Sequence, residues 1–174
     1  MFDKILNEYD DIVSKGPHDI RNCKLVKHDI RLNDERSIKC KQLPRSAKEN
    51  EWIKRQINKM LKNGVIESFT SLYAFNIIIV KKKDRVDEGI DRICINYASL
   101  NEVTEKDSEP IPIIKEYLLL FYEVKWLTVL DLASAYWQIL LIKRSQKYIA
   151  FLIAYELYQF QIMLFSLINT STIF

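Results

Sequence analysis

An apolar run, Leu127 to Leu130, ends in one carboxylate, Asp131, and Tyr136 follows after the small residues Ala133, Ser134 and Ala135. The spacing predicts a buried strand over Leu127–Leu132 that delivers the Asp at its tip. A carboxylate held that way can bind a metal ion beside a nucleotide. The small residues would let the backbone approach a triphosphate, and the aromatic ring would floor a sugar pocket. The plainer reading of the same residue is a helix N-cap, the usual job of an Asp at a strand end.

The rest of the chain supplies a mixed set of elements. Ser46 and Glu49 form a capping box, Ile53, Ile57, Met60 and Leu61 fall at helical spacing, and Gly64 is the stop. Val65–Phe69 reads as a short strand. Residues 76–83 and 92–97 are β-branched runs on either side of a charged loop, Asp84–Asp91, which is a hairpin signal. Pro110 and Pro112 precede an apolar helix, Ile113–Tyr122. Tyr148–Ile153 and Tyr158–Met163 read as a second hairpin turning at Tyr155–Glu156. Residues 1–45 mix scattered apolar residues with charges of both signs and read as an extended connector, with a weak helical signal at Phe2, Ile5 and Leu6.

Composition narrows the class. The chain is 48% hydrophobic and 28% charged, as a folded domain is, and its net charge of +3 does not by itself announce nucleic acid. With only three glycines, turns that want positive φ must use other residues. Cys23, Cys40 and Cys94 are odd in number and widely spaced, with two His in the chain. That argues against zinc and for a reduced, intracellular setting, cytoplasmic or nuclear. No signal-peptide pattern opens the chain, because Asp3, Lys4 and Glu8 interrupt any apolar core. Residues 148–174 are apolar enough to suggest a membrane span, but Glu156, Gln159 and Gln161 near the middle weigh against it.

The stretch from Leu130 resembles a motif of the reverse transcriptases of gypsy-like LTR retrotransposons, L-D-L-x-S-G-Y-x-Q-I. Leu130, Asp131, Leu132, Ser134, Tyr136, Gln138 and Ile139 stand in register, with Ala135 for the usual Gly. The family's V-x-K-K-D, loop, W-R-x-C-V-D-Y-R-x-L-N is matched by Val80, Lys82, Lys83, Asp84, Arg92, Cys94, Tyr97, Leu100 and Asn101. Here Asp91, Asn96 and Ala98 replace the aromatic, the Asp and the second Arg. L-Y-E-F-x-V-M-P-F-G-L-x-N-A-P-A-T-F is matched by Tyr158, Phe160, Met163, Phe165, Leu167, Asn169 and Phe174. Leu164 and Ser171 stand for its prolines, Ser166 for its glycine, and Glu156 for a hairpin glycine just upstream. The stretches from Tyr9 and from Leu25 resemble the connector before the polymerase.

The resemblance implies roles. Asp131 would be the catalytic carboxylate and ligand of two Mg²⁺ ions. Lys82 and Arg92 would meet the γ- and α-phosphates of a dNTP, and Lys81 and Lys83 the nucleic acid. The backbone at Ser134 and Ala135 would follow the triphosphate, Tyr136 would exclude a ribose 2′-hydroxyl, and Phe165 would lie in the turn beneath the incoming base. The plain reading of Lys81–Lys83 is a solvated hairpin tip. The implied fold is α+β, a partial right-hand polymerase, with 1–45 as connector and 46–174 as fingers plus the start of the palm. Its partners would be an RNA/DNA template-primer, dNTP and the remaining Pol segments. The aromatic-x-D-D motif that supplies the family's other catalytic carboxylates does not occur in the 174 residues. The expectation is therefore a retrotransposon polymerase fragment, inactive alone. The alternatives are a non-catalytic nucleic-acid-binding or interaction remnant and a membrane-associated protein.

Overall fold

A computed structural model describes residues 7–10, 12–14, 21–80, 92–110 and 113–173. The signal at Phe2, Ile5 and Leu6 and the loop Asp84–Asp91 lie outside the described residues. Helix α1, Ala47–Lys62, forms where the capping box places it. The Ser46 N–H donates to the Glu49 carboxylate at 2.9 Å, and the Glu49 N–H donates back to the Ser46 hydroxyl at 3.3 Å. At the other end the Val65 N–H reaches the Met60 carbonyl and the Gly64 N–H the Leu61 carbonyl, each at 3.0 Å. Gly64 takes φ +65, the left-handed position that this helix stop requires.

The chain then builds a five-stranded sheet. Its strands are β2 (Ile66–Ser68), β3 (Phe75–Val80), β4 (Arg92–Ile95), β6 (Phe151–Ile153) and β7 (Glu156–Phe160), in the order β2-β7-β6-β3-β4. Strands β3 and β4 are antiparallel, with Ile77 opposite Ile95 and Val80 opposite Arg92, so the first expected hairpin forms. The second forms as well, with Ile153 opposite Glu156. Its turn is Ala154–Tyr155, at φ 46 and 73, rather than Tyr155–Glu156. Only β3 and β6 run parallel, Phe75 beside Phe151. A separate parallel pair joins β1 (Lys27–His28) to β5 (Leu140–Leu141).

Ile53 and Ile57 of α1 pack into one core with Phe75 and Ile77 of β3, Phe151 of β6 and Phe160 of β7. After β4, helix α2 (Ala98–Val103) adds Leu100. The sequence reading did not foresee α2. Asn96, which replaces the family's Asp, opens it by accepting the Ala98 N–H at 3.1 Å. Tyr97 beside it is fully buried, edge-on to Phe75 at 5.1 Å, and donates its hydroxyl to the Ile149 carbonyl at 2.8 Å.

Residues 21–45 are extended, and they run across this body as a strap. The Cys23 N–H donates to the Gln138 carbonyl at 2.6 Å, and the Asn33 N–H to that of Val103 at 2.8 Å. The Arg45 guanidinium donates to the Ile77 carbonyl at 3.0 Å. Near the middle, the Ile30 N–H donates to the Ser145 hydroxyl at 2.9 Å. That hydroxyl donates to Asp29, which also pairs with Arg144. Ser145 belongs to the short helix α4, Lys143–Gln146.

Helix α3, Ile114–Leu120, forms as the apolar segment predicts, yet it has no buried residue. The stretch after it departs from expectation. Leu127–Leu132 is neither strand nor helix, and Leu127, Val129 and Leu130 are exposed. The physical reason is pairing. A strand exists through a ladder, and no described strand runs beside this one, so its apolar side chains stay in solvent. A last short helix, α5, spans Thr170–Ile173. No described helix is long and apolar enough to cross a membrane, and part of 148–174 supplies two strands of the sheet.

Candidate functional site

Ser134 marks the turn at which the exposed stretch re-enters the body. Its φ of 49 and ψ of 42 are left-handed, and a 3-10 turn, Ala135–Gln138, follows at once. Two bonds set the turn: the Trp137 N–H donates to the Ser134 carbonyl at 2.8 Å, and the Gln138 side-chain amide to the Ala133 carbonyl at 2.9 Å. The Met163 N–H donates to the Ile139 carbonyl at 2.8 Å and ties the turn to the segment after β7. That segment is held by two asparagines of the matched motifs. The Asn101 amide donates to the Ser166 carbonyl at 2.9 Å and accepts the Ile168 N–H at 3.1 Å. The Asn169 amide donates to the Glu105 carbonyl at 2.8 Å. Asn101 thus holds the Ser166 end of the Leu164–Ser166 wall, and the Thr170 hydroxyl, donating to the Leu164 carbonyl at 2.8 Å, holds the other.

Between this turn, β4 and α1 lies a cleft of about 570 Å³. Arg92, Ser134, Ala135, Tyr136 and Phe165 all line it, so five sequence-predicted positions share one cavity. Sequence reasoning missed the α1 wall, made by Trp52, Gln56, Lys59, Met60 and Asn63. The signal was present: Trp52, Gln56, Lys59 and Asn63 form a helical stripe adjoining the buried Ile53–Ile57 stripe. Trp137 completes the aromatic lining.

Lys59 and Arg92 are the charged residues among those that line the cleft. Cys94 lines it too, and burial pushes its thiol above the usual value, so it stays neutral. A largely apolar cavity of this size with two cations suits a flat ring that carries an anionic tail.

Lys81, Lys82 and Lys83 lie outside the described residues. Asp131 is exposed and does not line the cleft. It stands three residues before Ser134, so their Cα atoms are within about 11 Å of each other. It is not at the tip of a buried strand, because that strand does not form. Nor do the described residues fit a resident Mg²⁺ pair. No three His, Cys, Asp or Glu side chains among them converge, and one exposed carboxylate does not offset the repulsion between two dications.

Comparison with known proteins gives a consistent picture. No family model matches the chain. It is 33% identical over 86% of its length to the retrovirus-related Pol polyprotein from transposon opus of Drosophila melanogaster, covering 15% of that protein. It is 28% identical over 99% of its length to the enzymatic polyprotein of Figwort mosaic virus (strain DxS), covering 26% of it. The chain therefore spans about a quarter or less of these relatives. Among solved structures, a crystal structure of the prototype foamy virus protease–reverse transcriptase matches 97% of the chain at a TM-score of 0.82 and 22% identity, with 22% of that protein covered. The foamy viral protein in complex with an RNA/DNA hybrid matches 96% of the chain at a TM-score of 0.77 and 19% identity, again over 22% of that protein. The fold is the mixed α+β arrangement of part of those structures. In sequence the chain is distantly similar to the reverse-transcriptase region of Pol polyproteins.

Proposed function

We propose that this chain is the fingers and the first part of the palm of a retroelement RNA-directed DNA polymerase, and that alone it binds a nucleotide without joining it to a primer. The observation that carries the reading is the cleft: Arg92, Ser134, Ala135, Tyr136 and Phe165 converge there from three separate motifs. Arg92 and Lys59 would meet the phosphates of a dNTP. The base would lie among Trp52, Trp137 and Phe165, and Tyr136 would contact the sugar. Asp131 corresponds to a catalytic carboxylate of the complete polymerase. Residues 46–174 are the polymerase part and 1–45 the connector. Template-primer, the remaining Pol segments and an intracellular setting follow from the same reading. The foamy viral protein has been seen in complex with an RNA/DNA hybrid and with double-stranded DNA, which supports nucleic acid as a partner.

Two measurements test this. Titration of dNTP into 1–174, read by tryptophan fluorescence, should quench Trp52 and Trp137. Arg92→Ala should weaken binding about tenfold, the loss of one charge-assisted contact. A titration that leaves the fluorescence unchanged would remove the nucleotide reading. Primer extension on an RNA template with Mg²⁺ or Mn²⁺ should give no product. Product that disappears in Asp131→Asn would show an enzyme in its own right. The non-catalytic binding remnant is the second reading, favoured because no three metal-ligating side chains converge among the described residues.

A further inference from the structure

Helix α1 turns a row of cations to solvent. Lys48, Arg55, Lys59 and Lys62 are all exposed. At about 100° a residue they fall within an arc of about 60°, roughly opposite the buried Ile53 and Ile57. From Lys48 to Lys62 the row is about 21 Å long. None of the four meets a carboxylate among the described residues, and Glu51 beside the row makes no ion pair with it. By contrast, Arg31, Arg36, Lys143 and Arg144 are each paired.

The helix gains little from this row. Lys59 and Lys62 suit the negative end of its dipole, but Lys48 stands in the first turn, where a cation opposes it. Arg55 and Lys59, four apart, repel each other, as do Lys59 and Lys62, three apart. Nor is the row a share of a generally basic chain. Residues 21–62 carry 13 Lys and Arg against 5 Asp and Glu, and the rest of the chain carries 13 against 18. A face made to pack on more protein would be apolar; a row of unpaired cations is complementary to a polyanion.

Its place in the fold chooses which polyanion. Lys59 stands on the lip of the cleft, and Gln56 and Asn63, on the cleft side of the row, line it. A phosphodiester backbone laid along the row would turn its bases toward those amides, which hydrogen-bond base edges. Base edges are free for that only in a single strand, because a duplex pairs them with each other.

We infer that the row Lys48, Arg55, Lys59 and Lys62 is a track for the backbone of a single-stranded polynucleotide, which passes along α1 with its bases toward the cleft. The inference goes beyond the nucleotide reading and stands on the helix row, not on the cavity.

The test is the anisotropy of labelled oligouridylate and oligothymidylate, which share the phosphodiester, titrated with 1–174 between about 50 and 200 mM salt. Four single-strand contacts predict a log–log slope of about −2.8. Lys48→Gln, Arg55→Gln and Lys62→Gln together leave Lys59 and the cleft intact and should reduce it to about −0.7. Lys54→Gln, Lys106→Gln and Lys115→Gln together remove the same charge from other exposed positions and should keep the wild-type slope. All six side chains are exposed, so circular dichroism should show the fold retained in both variants. The same strand annealed to its complement should be indifferent to the first set. No binding by the wild type, an unchanged slope in the first variant, an equal loss in the second, or an equal loss for the duplex would each overturn the inference. The first variant should still be quenched by dNTP as the wild type is. A dNTP titration that fails in every protein would overturn the nucleotide reading alone, and the slopes would still decide the track.

Discussion

Tyr155 sits at φ 73 in a two-residue turn, next to Ala154 at φ 46. Such a turn favours Asn-Gly, and a side chain in the left-handed region costs about 1–2 kcal/mol. Tyr155 is 92% exposed, so Tyr155→Gly sacrifices little packing. It should stabilise the fold by about 1 kcal/mol and raise the thermal midpoint by roughly 2–4 °C. Beside the turn, the Glu156 carboxylate accepts the Tyr158 hydroxyl and, together with burial, holds that phenol up at about 12. Spectrophotometric titration should find Tyr158 protonated after exposed tyrosines have ionised, and Glu156→Gln should bring it down. Stability held by this pair is present below the unfolded phenol's value and is lost as pH rises through the folded one.

At the scale of elements, the strap 21–45 is the feature most open to measurement. Ser145 is fully buried and satisfies both the Ile30 N–H and Asp29. Ser145→Ala leaves a buried N–H without its acceptor and should cost about 2 kcal/mol in denaturant unfolding. Next to it His28 is 2% exposed with Nδ1 unpartnered. Burial lowers its imidazole below the usual 6.5 in spite of Asp107 and Asp29, which raise it. The unfolded chain therefore binds a proton near 6.5 and the folded chain only at lower pH, so stability should fall as pH drops below about 6.5. The hydrogen bond from Arg144 leads the lowering of Asp29, so its contribution is lost in a separate, more acidic step, below the ordinary 3.8. Thermal melts across pH 3–8 should show both stages, and His28→Leu should remove the upper one. The capping box, the first hairpin and α3 were legible from local pattern alone. The extended character of 21–45 was legible too, but its attachments and the β1–β5 pair were not, because the partners are distant in sequence: Asn33 bonds to Val103 and Ile30 to Ser145.

For the whole molecule, charge governs any association with nucleic acid. Net charge is only +3, so attraction must come from local cations such as Lys59, Arg92 and Lys81–Lys83. Neutralising about three phosphates predicts a fall in affinity of roughly 40-fold between about 50 and 200 mM salt. Fluorescence anisotropy with a labelled RNA/DNA hybrid measures the slope, and Lys81–Lys83→Ala should flatten it. A flat dependence in the wild type would show that these cations are not the contact.

The sequence by itself determined the elements whose cause is local. The Ser46–Glu49 box opens α1, the β-branched runs at 75–80 and 92–95 pair with each other, and helical spacing selects Ile53 and Ile57 for the core. It also marked five of the residues that line the cleft. Only the tertiary structure decided that α1 would form the opposite wall, because a cavity is a relation between elements and no single segment encodes it. Only the tertiary structure could decide the fate of Leu127–Leu132 as well. Its pattern is that of a buried strand, but a strand is completed by a neighbour. With no described strand beside it, the same residues present their apolar side chains and Asp131 to solvent.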